Sequence, residues 1–176
     1  MSTEHDSRAP LWKYTMTKDR LSASLLAELY TLEEDSYRLS LRAARRLGSG
    51  LPAAALRAVA GHAGEALNEL PALARCRGIR LRSLGGLLMD TTRRLRDVLV
   101  DQRLDDEHGY RRALATMRRG IDLVRLTLAA ARAEGDGALA AWCRSWMRGR
   151  EALVSAVGDE LESFGRVPAL AQLGGG

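Results

Sequence analysis

Seven residues in the second half of the chain constrain its fold most. Tyr110, Leu114, Met117, Ile121, Val124, Leu128 and Ala131 follow one another at alternating spacings of four and three. A helix turns once in 3.6 residues, so this spacing stacks all seven side chains along one stripe. A stripe that long is the seam of a helix packed lengthwise against others, because an isolated helix gains little from an apolar edge facing water. A strand would put neighbours two apart on one face, and this pattern does not.

The same reading extends along the rest of the 176 residues. From Thr17, Leu25, Leu29, Leu32, Ser36, Leu39 and Ala43 share a stripe, with Thr17 suited to cap the helix start and Gly48 to end it. Pro52 opens a second helix through Leu56, Val59, Ala63, Leu67, Leu70 and Ala74, weakened by Gly61 and Gly64 and kinked at Pro71, with Gly78 at its end. Ser83 caps a third over Leu84, Leu88, Thr91, Leu95, Val98 and Gln102. A break near Leu104 separates residues 84–104 from the long seam of 106–133, although RLDDEHG holds no Pro and a continuous helix is the alternative. After EGDG a last helix carries Leu139, Trp142, Trp146, Leu153, Val157, Leu161 and Phe164. The prediction is an all-α, antiparallel up-down bundle of four long helices and a shorter one over residues 17–165. Residues 1–16 and 166–176 are expected to be flexible tails.

Composition agrees. Aromatic residues are 5% of the chain and Pro numbers 4, a poor supply for the strands and turns of a β-sandwich. No apolar run reaches the length of a membrane span, and the polar start MSTEHDSRAP lacks the apolar core of a secretory signal. Cys76 and Cys143 are isolated and belong to no CxxC pair, which fits a reducing compartment. A cytoplasmic protein without membrane contact is expected.

Of the 27 basic residues only Lys13 and Lys18 are lysine. Residues 1–104 hold the whole net charge of +5, which places any electrostatic footprint on the first half. Its most distinctive part is Arg75, Arg77, Arg80 and Arg82, four guanidinium groups without an intervening acid. Such a connector can grip phosphates or carboxylates bidentately. Nucleic-acid readout would usually add stacking platforms, and residues 38–109 contain no aromatic. The plainer reading is that Arg75 and Arg77 satisfy the carbonyls ending the second helix. Trp142 and Trp146, one turn apart, read as core rather than as a partner anchor.

Carboxylates come next, since bundles host metals between facing helices. Glu28 borders the first stripe, Glu107 is in register with the long seam, and His62 and Glu65 lie one turn apart. In these residues and in the order of its helices, residues 17–165 resemble the ferritin-like superfamily. That resemblance implies a di-iron site built from a Glu on each of two helices and Glu-x-x-His pairs on two others. The chain departs from it, because no Glu-x-x-His occurs and His62-Ala-Gly-Glu65 runs in reverse. The stretch DDEHGYRRALATMRRGIDLVRL is also similar to segments of helical proteins from high-GC bacteria, which implies a fold and no activity.

No nucleophile stands with a histidine and an acid in a recognisable motif, and His5, His62 and His108 are scattered. The leading expectation is therefore a non-enzymatic interaction protein, binding a protein partner or itself through helix faces, with no cofactor. The second is a divergent carboxylate metalloprotein holding iron or another divalent metal on Glu28, His62, Glu65 and Glu107. The third is an anion or nucleic-acid binder acting through Arg75, Arg77, Arg80 and Arg82.

Overall fold

A computed structural model describes residues 11–81 and 106–166. Among these, four helices carry the fold: α1 (Leu11–Arg46), α2 (Leu51–Arg75), α3 (Asp106–Glu134) and α4 (Gly137–Arg166). No strand occurs among the described residues. The expected segment 84–104, and residues 1–10 and 167–176 of the expected tails, lie outside them, whereas residues 11–16 are helical.

The long seam is buried along its whole length. All seven of its residues, from Tyr110 to Ala131, are at most 8% exposed. On α2, Leu56, Val59, Ala63, Leu70 and Ala74 are fully buried. Closing such a Leu or Val away from water stabilises by roughly 1.5–3 kcal/mol each. The helix runs through Pro71 to Arg75. Only one turn follows the proline, so the lost N–H interrupts little.

α1 starts at Leu11, six residues before the Thr17 cap expected from the sequence. The physical reason is that no Gly or Pro interrupts residues 11–46, so nothing in the chain stops the helix from propagating back to Pro10.

Glycine sets two of the turns. Gly78 (φ 69°) follows α2, with the Ile79 amide donating to the Ala74 carbonyl at 3.0 Å and the Gly78 amide to that of Arg75 at 3.0 Å. This left-handed cap tucks Ile79 against the core. Gly135 (φ 73°) closes α3 in the same way, with the Asp136 amide reaching the Ala131 carbonyl at 2.8 Å. Asp136 then caps α4, its Oδ1 accepting from the Leu139 amide at 2.9 Å.

Packing is four-sided. α1 and α4 each lie against both α2 and α3. The apolar interior falls into two clusters. One gathers Leu25, Leu29, Leu70, Val124, Leu139 and Trp146, and the other Ala44, Leu56, Val59, Tyr110, Met117 and Val157. Along α1 and α4 the gap between the clusters is filled by polar side chains. No described helix is long and apolar enough to cross a membrane.

Candidate functional site

The gap between the two clusters holds an ion pair that touches no water. Glu33 of α1 is 1% exposed and Arg150 of α4 is 0% exposed. Arg150 Nη2 donates to Glu33 Oε2, and Arg150 Nη1 donates to Ser36 Oγ at 2.9 Å. The guanidinium carbon also sits 4.7 Å from the centroid of the Trp146 ring, a stacked cation–π contact. On the same ring, His62 of α2 approaches to 5.5 Å between centroids.

Two glycines make the room. A Cβ on Gly149 would lie 2.7 Å from His62 Nε2, and one on Gly120 would lie 3.2 Å from Trp146 Cη2. The imidazole and indole therefore occupy space that any larger residue would take from them.

The electrostatics follow from burial. Loss of water pushes the Glu33 carboxyl up to about 7, against the opposing pull of Arg150. The same loss pulls Arg150 down, with Glu33 resisting. Burial and the nearby Arg150 charge bring His62 down to about 4, a hydrogen bond to the Trp146 backbone and the charge of Glu69 acting the other way. Five buried atoms here and one turn away lack a protein partner: Glu33 Oε1, Ser40 Oγ, His62 Nδ1, Trp146 Nε1 and Arg150 Nε. The centre is enclosed, with part of its hydrogen-bonding capacity unmet by the protein. Glu33 and Arg150 are each other's chemistry, and a solvent-borne substrate reaches neither unless the bundle opens.

Tyr110 and Cys143 are similarly enclosed. Tyr110 donates its hydroxyl to the Val157 carbonyl at 3.1 Å, and burial pushes its pKa up. Burial raises the Cys143 thiol to about 11, so it is no thiolate at neutral pH. Cys76 is exposed. Trp142 is half-buried and donates to Glu69 Oε2 at 2.6 Å.

The arginine connector is split by the structure. Arg77 Nε bonds Asp136 Oδ2 at 2.5 Å, and its Nη1 donates to the Leu73 carbonyl, so this side chain closes the end of α2 and ties it to the α4 cap. Arg77 and Asp136 line a cleft of about 360 Å³ with Ser22, Ile79 and Glu134, in which Ser22 Oγ donates to Glu134. Arg75 and Arg80 are exposed, and Arg82 lies outside the described residues.

The four residues proposed as metal ligands are not brought together. Glu28 pairs with Arg119 at 3.1 Å, and Glu107 pairs with Arg111 at 3.4 Å within the first turn of α3. His62 lies against Trp146, and Glu65 is exposed. Among the described residues no three of His, Cys, Asp and Glu gather closely enough to hold a metal ion.

Sequence reasoning passed over Glu33 and Arg150, yet a signal for them exists. Arg150 falls four residues after Trp146 and three before Leu153, where the apolar seam of the last helix has a gap. Glu33 falls four after Leu29 and three before Ser36. Compared with models of known protein families, with curated proteins and with solved structures, the chain matches none.

Proposed function

We propose that this protein is a non-enzymatic helical bundle that acts by binding a protein partner, or a second copy of itself, through its helix faces. The observation carrying this reading is that Glu33, Ser36, Tyr110, Cys143 and Arg150, the side chains best suited to chemistry, are buried and spent on the interior. The outer faces meanwhile present Leu51 (73% exposed), Leu126 (51%) and Leu21 (48%) together with most of the described arginines.

The bundle is read as antiparallel between neighbours, with a ferritin-like order of helices. Supporting pairs are Ser22 with Glu134 and Glu28 with Arg119 for α1 and α3, and Glu69 with Trp142 for α2 and α4. Tyr110 with Val157 adds α3 and α4. Glu28 and Arg119 meet at the middle of their helices, and in the other three pairs a position late in one helix meets a position early in the other. On this reading α2 ends near Asp136, at the finish of α3, while α3 begins beside the start of α2.

Light scattering coupled to size exclusion, from micromolar to near-millimolar concentration, tests the functional reading alongside affinity capture from native lysate. Self-association or a stoichiometric protein partner supports it. A monomer at every concentration that retains no partner overturns it.

A further inference from the structure

We propose that the polar centre between the two apolar clusters is a structural hydration site, in which buried water joins Arg150 Nε and Trp146 Nε1 to Glu33 Oε1 and His62 Nδ1. All four atoms are enclosed and find no partner in the protein. The first two are donors and the last two acceptors. Arg150 and Trp146 carry N–H groups and no acceptor. Glu33 Oε1 is the carboxylate oxygen that Arg150 does not take, since Nη2 goes to Oε2 and Nη1 to Ser36 Oγ. His62 is fixed by its other nitrogen. With Nδ1 unpartnered, the hydrogen bond to the Trp146 backbone falls to Nε2–H, so the neutral imidazole offers Nδ1 as a lone pair. Ser40 Oγ stands apart, because it can turn to the Ser36 carbonyl one turn back.

The side chains do not serve one another as they stand. The guanidinium lies over the face of the Trp146 ring, 4.7 Å from its centroid, whereas Nε1–H leaves that ring in its own plane. Trp146 therefore donates sideways, away from Arg150, which has no acceptor to offer. The His62 ring is tilted by 57° to the indole and held by the Trp146 backbone, so its lone pair is not free to swing. A guest that meets both kinds of group has to donate and accept at once. Chloride would satisfy the two N–H groups but face the Glu33 carboxylate, and a cation would face Arg150. Bulk is limited as well: a single Cβ on Gly149 would already come 2.7 Å from His62 Nε2, and one on Gly120 3.2 Å from Trp146 Cη2. Water is the smallest molecule with both capacities, and buried water in proteins makes about three hydrogen bonds to groups of this kind. Exchange with bulk has a route past the imidazole, because His62 is half-buried whereas Glu33, Trp146 and Arg150 are buried.

The test uses the full chain with nitrogen-15 in its tryptophans and histidines, and the probe is water itself. The Trp146 indole signal is the one kept in both Trp12→Phe and Trp142→Phe. It is followed at the water frequency in paired NOE and ROE spectra. Dipolar contact with a water that outlasts molecular tumbling gives cross-peaks of opposite sign in the two, whereas proton exchange gives the same sign. Ser36→Ala/Ser40→Ala, its fold checked by circular dichroism, removes the hydroxyls that could relay magnetisation from bulk. Cross-peaks of opposite sign that persist in this variant support the site. In the same sample His62 should carry its proton on Nε2, with the Nδ1 resonance displaced from that of a free lone pair toward that of a hydrogen-bonded one. An absent cross-peak, equal signs in the two spectra, loss of the cross-peak with the hydroxyls, or a proton on Nδ1 overturns the proposal. Either result leaves the partner-binding reading to its own test, since that reading concerns the outer faces.

Discussion

Removing one member of the buried pair should cost far more than removing both. Arg150→Met keeps the length and apolar stem of the side chain but strands Glu33, which is 1% exposed and already has one unpartnered oxygen. Breaking a buried pair from one side typically costs about 3–5 kcal/mol, because the remaining charge is uncompensated. For a chain of this size that corresponds to a fall in melting temperature of roughly 6–20 °C, at about 2–4 °C per kcal/mol. Glu33→Met should cost a similar amount by stranding Arg150. The double variant removes both desolvated charges together, so it should recover most of the loss. What remains missing is the stack on Trp146, worth about 1–2 kcal/mol, while Ser36 can turn to a backbone carbonyl one turn back. Urea unfolding of the four proteins, with equal slopes as the check on two-state behaviour, gives the cycle. Proton linkage adds a sign. Glu33 is raised even with Arg150 present, and without it the carboxyl rises further. A carboxyl whose folded value lies above its unfolded one loses stability as pH rises, so Arg150→Met should be more stable at about pH 5 than at about pH 8. Additive losses in the double variant would refute the argument that burial, rather than local packing, sets the cost.

Gly149→Ala puts a methyl 2.7 Å from His62 Nε2 and should destabilise by about 1–3 kcal/mol in thermal melts, and Gly149→Ala with His62→Ala should recover part of it. Asp136→Ala removes the α4 cap and the acid partner of Arg77, for a loss of about 1–2 kcal/mol in urea unfolding. His62, held near 4 against 6.5 for the free side chain, contributes stability above pH 6.5 that is lost as pH falls toward 4. His62→Gln should accordingly narrow its stability difference from the wild type across that window, as read by melting temperature against pH.

What the sequence made legible was whatever repeats with the helix. The seam from Tyr110 to Ala131 needed only its spacing, since every member is apolar or a tyrosine whose hydroxyl finds a carbonyl. Leu39, Leu67 and Leu153 sit on expected stripes yet are only half-buried, because each lies at the edge of a four-sided packing rather than at its middle. Glu33 and Arg150 stayed hidden for a sharper reason. An amphipathic template discards charged residues, and each becomes buriable only through the other, 117 positions away. Arg77 has the same property: its acid, Asp136, lies 59 residues on. Pairing between distant residues leaves no period, so spacing could put Glu33 and Arg150 on their stripes but could not join them.

The placement of the pair gives it a role that leucines could not fill. Apolar side chains along α1 and α4 tolerate a slide of one helical turn, since Leu meets Leu or Ala with modest loss. Glu33 and Arg150 do not. They sit between the two apolar clusters and join two helices that each pack mainly against α2 and α3. A slide of ~5.4 Å would part both charges in a dry interior. The pair thereby contributes less to the depth of the native state than to its uniqueness. Glu33→Met/Arg150→Met should then fold with near-native helicity but a broadened, multiplied set of amide NMR signals. A spectrum as sharp and single as that of the unaltered protein would assign the fixing of register to the surrounding apolar contacts instead.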